Sequence, residues 1–323
     1  MSSQSLLTSN LLSVPVLVFI LGIVAALFRS DLRLPEPVYR AISIFLLFGI
    51  GLKGGHSLKS IAFSDFISPA LAVLIIGSLI PAIAFITLRL VKSLSNADRG
   101  AFAAHYGSTS LVTFTAGLIF LESRSIAVEP FATALLTLME IPGIVVGIYL
   151  GSRGIQATVK WRETLIETLT GKTIILLVGG LFVGYFASEA GYLKVTPFFI
   201  DLQSGALTLF LLHLGFIAGS QLGQFKIAGL PIAIFSVLFP IFAGTLGVIA
   251  GNIAGLSIGG AAILGVLAAS ASYIAAPAAV SLGLPSANGS LALFASIGIT
   301  FPFNLLVGIP LYLEIAEQLA KLA

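Results

Sequence analysis

Two short runs of small and hydroxyl-bearing residues interrupt an otherwise oily chain: Gly107, Ser108, Thr109 and Ser110 in "HYGSTSLVTF", and Ser270, Ala271, Ser272 and Tyr273 in "AASASYIAAP". Glycine, serine and threonine have weak helix preference, and serine and threonine side chains can bond backbone groups that an interrupted helix leaves free. Each run is therefore a place where a helix can break in two. Where two breaks converge, unpaired N–H groups and the positive ends of the half-helices form a site for an anion, with the hydroxyls as further donors. One run alone fits close helix packing as well as it fits binding. The third unusual residue is Glu140, in "LTLMEIPGIV". A carboxylate in the middle of a spanning helix costs about 2.5–3.5 kcal/mol unless a cation, a proton or hydrogen-bond donors accompany it. A purely structural Glu140, protonated or bonded to the backbone loosened before Pro142, is the alternative.

The elements that position these residues follow from composition. Hydrophobic residues make up 58% of 323 positions and charged ones 9%, which excludes an ordinary water-soluble domain. Apolar stretches of about 20 residues, the length that spans a bilayer as helix, follow one another, without the alternation of a membrane β-barrel. The predicted helices, numbered 1 to 10, cover 11–28, 37–52, 67–90, 100–121, 130–151, 172–188, 199–222, 230–251, 259–281 and 289–313. The first has no basic residue before it and no small-residue cleavage site after it, so it reads as a mature helix rather than a signal peptide. Both runs fall about halfway along their helices, near the membrane midplane.

The chain also echoes itself. "IFLLFGIGLKGGHSL" resembles "LFLLHLGFIAGSQLG", Pro81 matches Pro240, and "IPGIVVGIYL" matches "FNLLVGIPLYL", at offsets of 159 to 165 residues. Five helices separate the copies, so the second half threads the membrane upside down relative to the first, the inverted repeat of secondary transporters. The repeats are predicted at 1–151 and 172–323, joined by a linker at 152–171. On this offset "GSTS" falls on "ASAS", and two runs at equivalent depth favour binding over packing. Glu140 falls opposite Phe303 or Asn304. Glu140, Asn304 and the hydroxyls of Ser108 and Ser270 form an oxygen set suited to one hard monovalent cation. Residue types alone leave Na⁺ and H⁺ both open.

Eleven of the sixteen Lys and Arg residues lie in the connections after helices 1, 3, 5, 7 and 9. By the positive-inside rule those connections are cytoplasmic and both termini are outside. The basic residues flank the membrane rather than forming one face, so nucleic acid is not an expected partner. In "VKWRETLIETLTG", Trp161, Leu165 and Leu169 predict an amphipathic helix lying on the cytoplasmic surface as an anchor. "LGLPSANGS" (282–290) reads as a loop. His105 and His213 read as interior imidazoles. The sequence has no cysteine and carries no nucleotide-binding loop or nucleophile elbow, so neither an enzyme nor an ATP-driven pump is expected.

The order of these motifs resembles the sodium-dependent bicarbonate transporter family of cyanobacteria and its wider bacterial relatives: "LLFGIGLKGG", "YGSTS", "MEIPGIV" and above all "LAASASYIAAPAAVSLGLPSAN". The resemblance implies an all-α integral membrane protein of the plasma membrane, with ten helices in two inverted five-helix repeats. Helices 3–5 and 8–10 would form a core holding two broken, crossing helices, and helices 1, 2, 6 and 7 a gate or scaffold. It further implies sodium-coupled, elevator-type symport of bicarbonate or a similar small anion, a homotrimer in membrane lipid, and a PII-like cytoplasmic regulator. Substrate would meet Gly107, Ser108, Thr109, Ser110, Ser270, Ala271, Ser272 and Tyr273; sodium would meet Glu140, Asn304, Ser108 and Ser270. Cyanobacterial members differ in carrying Asp at the positions of Tyr273 and Glu140, Pro at Ala278 and Arg at Ser281, and in a much longer linker.

Overall fold

The computed structural model describes residues 3–153 and 161–322, and the regular elements among them are all helical. Residues 154–160, which include part of the predicted linker and Lys160 of the charge count, lie outside the described residues. In chain order, α1 (Ser3–Leu11) and α2 (Val14–Leu27) lead into α3 (Glu36–Leu58) and α4 (Phe63–Leu90). Two half-length helices follow, α5 (Asn96–Gly107) and α6 (Leu111–Glu122), then α7 (Ala132–Ser152), α8 (Trp161–Thr170) and α9 (Lys172–Phe186). α10 (Glu189–Thr196) and α11 (Gln203–Ser220) are joined by a π-type turn. After them come α12 (Phe225–Ile253), a second half-length pair, α13 (Ile258–Ala269) and α14 (Ala275–Gly283), and α15 (Gly289–Ala320).

Six of these, α3, α4, α7, the α10–α11 composite, α12 and α15, are long and apolar enough to cross a membrane; α8 with α9, bent by 49°, makes a seventh if taken as one span. α5, α6 and α13 have 12 residues each. At 1.5 Å per residue that is about 18 Å, short of the roughly 30 Å hydrocarbon core. Each half-length helix therefore needs its partner to reach across.

The helices pack in two groups. α2 lies against α11 and α3 against α9, while α4, α5 and α7 pack together, as do α12, α13 and α15. The first group is held by glycine seams. A Cβ on Gly51 would sit 2.7 Å from the Leu177 carbonyl, and one on Gly219 would sit 2.8 Å from the Ile23 carbonyl; Gly55 and Gly215 are closer still to Leu181 and Phe19. Such contacts let backbones approach where no hydrophobic effect drives helices together. Gly51 and Gly55 stand 164 residues before Gly215 and Gly219, so the internal echo marks the same helix seam made twice. The seam also corrects one boundary. Helix 2, expected to end at residue 52 before the glycines, continues to Leu58, because those glycines serve contact rather than termination.

α8 forms as expected, with its leucines left exposed and a threonine face on the protein. Thr164 and Thr168 are buried against the protein, with α14 and α9 among their neighbours, while Leu165, Ile166 and Leu169 stay exposed. The small threonines allow the close approach, and the leucines are left facing outward.

Prolines in long helices free carbonyls that side chains then satisfy. Pro240 cannot bond the Ser236 carbonyl, and Thr300 Oγ1 donates to it at 2.7 Å. Pro310 likewise frees Leu306, whose carbonyl accepts Asn10 Nδ2 at 3.1 Å. The α5–α7 seam is the tightest in the second group: a Cβ on Gly143 would overlap the Gly107 carbonyl. Gly143→Ala is expected to cost about 1–3 kcal/mol by overpacking, read as a lower thermal unfolding midpoint in detergent. Gly205→Ala, where nothing lies within 4 Å, should show no loss.

Candidate functional site

α5 and α13 enter from opposite ends of the molecule. The start of α5 is tied to the start of α15, where Asp98 accepts the Asn288 N–H at 2.7 Å. The start of α13 is tied to the segment before α7, where Glu129 accepts the Ser257 N–H at 2.5 Å. Since the end of α7 packs on the start of α5, through Gly151 against Gly100, these ties sit on opposite faces. Both helices stop at the serine runs: α5 ends at Gly107 and α6 begins at Leu111, while α13 ends at Ala269 and α14 begins at Ala275.

The two breaks meet and bond to each other. The Ser110 N–H donates to Ser270 Oγ at 2.9 Å, and the Ser272 N–H donates to the His105 carbonyl at 2.7 Å. Ser270 Oγ in turn donates to the Leu267 carbonyl at 2.8 Å. The second serine of each run starts the next half-helix: Ser110 Oγ accepts the Thr113 N–H at 3.3 Å, and Ser272 Oγ accepts the Ala276 N–H at 3.2 Å. Ser110 is the N-cap of α6, the position serine favours because its oxygen satisfies a first-turn N–H, whereas the N-cap of α14 is Ile274 and Ser272 reaches the first turn from two residues before it. Two helix starts, each carrying about half a positive charge, thus face one point.

That point holds a small, partly enclosed cavity of about 10 Å³, lined by Thr109, Ser110, Leu111, Glu140, Thr173, Ser272, Tyr273 and Ile274. This is about the volume one water molecule requires. Glu140, only 2% exposed, has no hydrogen-bond or ion-pair partner among the described residues. The hydroxyls of Ser108, Thr109 and Tyr273 are buried and unpartnered too. Buried polar groups are nearly always bonded, so the unpartnered Glu140, Thr109 and Tyr273 on this wall, with Ser108 close behind it, make the crossing the candidate site. The donors and acceptors are all oxygens, which suits a hard cation, and the two helix starts suit an anion.

Of the residues expected to bind substrate, the structure brings Thr109, Ser110, Ser272 and Tyr273 to the cavity. Ser108 and Ser270 lie in the same crossing but off the wall, Ser270 being engaged in the bonds just described. Gly107 serves the seam with Gly143 and Pro81, and Ala271 contributes to the break itself. Of the residues expected to meet sodium, Glu140 is on the wall. Asn304 is not: its Nδ2 donates to the Ala269 carbonyl freed at the end of α13, at 2.8 Å, and its Oδ1 accepts from Tyr312 at 3.1 Å. His105 is fully buried with Nδ1 3.3 Å from Ser296 Oγ, and His213 packs on Tyr39 with ring centroids 4.7 Å apart. Sequence reasoning missed Thr173, which reaches the cavity from α9 in the other helix group, and the chain from Tyr106 through Thr300 to Ser236. A hydroxyl in an apolar helix was the available signal for both, and nothing in the sequence tells which way it faces.

These features define a multi-pass helical membrane protein built around a polar crossing of two interrupted helices. The family model of the Na⁺-dependent bicarbonate transporter superfamily matches residues 15–317, and the chain belongs to that superfamily. No curated protein matches it closely enough to count as a relative.

Asn304→Leu strands the Ala269 carbonyl, while the Tyr312 hydroxyl keeps the Pro240 carbonyl at 3.0 Å. The expected loss is about 1–3 kcal/mol for the buried carbonyl left unbonded, seen as a lower unfolding midpoint in detergent.

Proposed function

We propose that the protein is a sodium-dependent symporter of a small anion, with bicarbonate as the leading cargo. The observation that carries this reading is the meeting of two half-helix starts and the unpartnered Glu140 at one small cavity, in a chain of the Na⁺-dependent bicarbonate transporter superfamily. Sodium would be held by Glu140 with oxygens of Thr109, Ser110 and Ser272, and the anion by the N–H groups and hydroxyls at the starts of α6 and α14. Opposite unit charges about 5 Å apart attract by about 3 kcal/mol at an effective dielectric of about 20. Each ligand would then tighten the other about 100-fold, and linkage makes the effect reciprocal.

A cavity of 10 Å³ has no room for a four-heavy-atom oxyanion, so loading requires movement. The helix groups supply a way: the core of α4–α7 and α12–α15 would shift against a scaffold of α2, α3, α9 and α11, exposing the crossing to either side as alternating access requires. The same proposal places the protein in the plasma membrane, with the odd-numbered connections inside and both termini outside. A trimer and a PII-type regulator belong to it as well; light scattering in detergent reads the first.

The direct test is uptake of labelled bicarbonate into proteoliposomes under Na⁺ and pH gradients imposed separately. An inward Na⁺ gradient should drive accumulation, and replacing Na⁺ by K⁺ should reduce uptake to that of empty vesicles. Uptake indifferent to Na⁺ overturns the reading. One observation favours a second one: the cavity beside the partnerless Glu140 is no larger than a water, so a proton could be the coupling ion. Glu140→Gln separates them, because loss of Na⁺ stimulation at every pH marks a sodium ligand, whereas loss of pH-driven uptake alone marks a proton carrier.

A further inference from the structure

A second, larger space lies at the far end of α6, lined mostly by apolar side chains with a polar edge. It is a cleft of about 540 Å³ between α2 and α11 on one side and α6 and α15 on the other, with Ser9, Asn10, Ser13, Ser123 and Arg124 among its lining residues. That volume is in the range of small-molecule sites, about 300–1,000 Å³. Asn10 is fixed there by its bonds to the Leu305 and Leu306 carbonyls, at 2.9 and 3.1 Å.

Arg124 is the one cation on this wall. Among the described residues no carboxylate forms an ion pair with it; those that do pair include Arg40–Glu36 and His56–Glu189. The guanidinium stacks on the Phe120 ring, 3.7 Å from its centroid. Nη1 donates to the Phe120 carbonyl at 3.1 Å and to Ser123 Oγ at 3.2 Å, and Nη2 donates to Ser9 Oγ. Nε has no partner. Two of five N–H groups therefore stay uncommitted, on Nε and on Nη2. Those atoms form the side-on edge of the guanidinium, the edge that grips two oxygens of a planar oxyanion at once; Nε is buried in this conformation, so the full grip forms only when the cleft shifts.

We propose that this cleft is an outer subsite for a small soluble oxyanion such as bicarbonate, held by the side-on edge of Arg124 before it passes to the crossing. The proposal rests on the reading that the cargo is an anion. Fourteen residues separate Ser110 from Arg124, about 21 Å of helix, so the two sites stand at the two ends of α6. The subsite raises the local anion concentration on the scaffold–core boundary, where the proposed movement would open the crossing. The phosphate of a lipid headgroup carries the same chemistry, and the test separates the two sources.

The experiment uses the full chain in phosphatidylcholine nanodiscs for binding of labelled bicarbonate, and proteoliposomes of the same lipid for uptake. Arg124→Gln is expected to raise KM about tenfold with maximal rate little changed, since it removes a charge-assisted two-point grip. The effect should shrink between about 20 and 200 mM salt as screening sets in. Arg124→Lys keeps the charge without the fork and should fall between, which keeps the test valid if the glutamine variant does not fold. Lys53→Gln removes a charge from a different cleft, beside Glu122 and Glu129, and should leave KM unchanged. Unaltered KM and unaltered binding in folded Arg124→Gln would mean that Arg124 only caps α6, and the proposal falls. It also falls if phosphatidylglycerol binds in an Arg124-dependent way while bicarbonate does not. If no anion is transported but bicarbonate binding still depends on Arg124, the subsite stands and the symport reading is what fails.

Discussion

Every other feature of this molecule depends on how two interrupted helices satisfy each other's backbone in a region without water. A broken helix leaves N–H and C=O groups free, and in an apolar surround each unbonded group costs several kcal/mol. Here the breaks answer one another: the Ser110 N–H finds Ser270, the Ser272 N–H finds the His105 carbonyl, and Asn304 takes the Ala269 carbonyl. Neither break is stable without the other. The groups still unbonded, Glu140 and the hydroxyls of Thr109 and Tyr273 on the cavity wall with Ser108 behind them, lie beside these bonds, so the stable part of the crossing positions the candidate site.

This constraint explains why glycine is distributed as it is. For the breaks to meet, α5 must lie deep against α7, and Gly107, Gly143 and Gly147 remove the side chains that would hold them apart. The α3–α9 and α2–α11 seams use the same device, with Gly51 and Gly55 in one and Gly215 and Gly219 in the other. Small residues are thus spent on backbone proximity throughout, while bulky side chains such as Phe19, Phe102, Phe210 and Phe301 fill the spaces that remain.

Much of this is legible in the sequence. Apolar length gives the helices, and the weak helix preference of "GSTS" and "ASAS" gives the two interruptions, because both are local properties of the chain. The echo between halves identifies equivalent glycines without showing what they touch. Glu140 stands out through the cost of a charge in an oily stretch. Asn304 was read from its position opposite Glu140 as a possible ligand, yet it bonds the end of α13. Which role an amide takes depends on which carbonyl a neighbouring helix happens to free, and that is a tertiary fact. Thr173 and Arg124 escaped for the same reason: the first looks like an ordinary residue at a helix start, and the second like one more charge in a loop. In α8 the leucines stay exposed, as a helix anchored on a membrane surface needs, and the small Thr164 and Thr168 pack on the protein, a contact that the helical pattern does not show.

The placement of the cavity has a further consequence for how such a site could open. Its wall is drawn mostly from α5–α6, α7 and α13–α14, but Thr173 belongs to α9, in the other packing group. A wall shared between two groups changes volume whenever one slides past the other, whereas the bonds between the breaks, all internal to one group, survive the slide. Closed helix seams resist continuous deformation and favour a few discrete arrangements. The proposed movement would therefore carry the crossing intact and alter only its lid. That is the property a transporter needs, since the site must present the same ligands to both sides of the membrane while never being open to both at once.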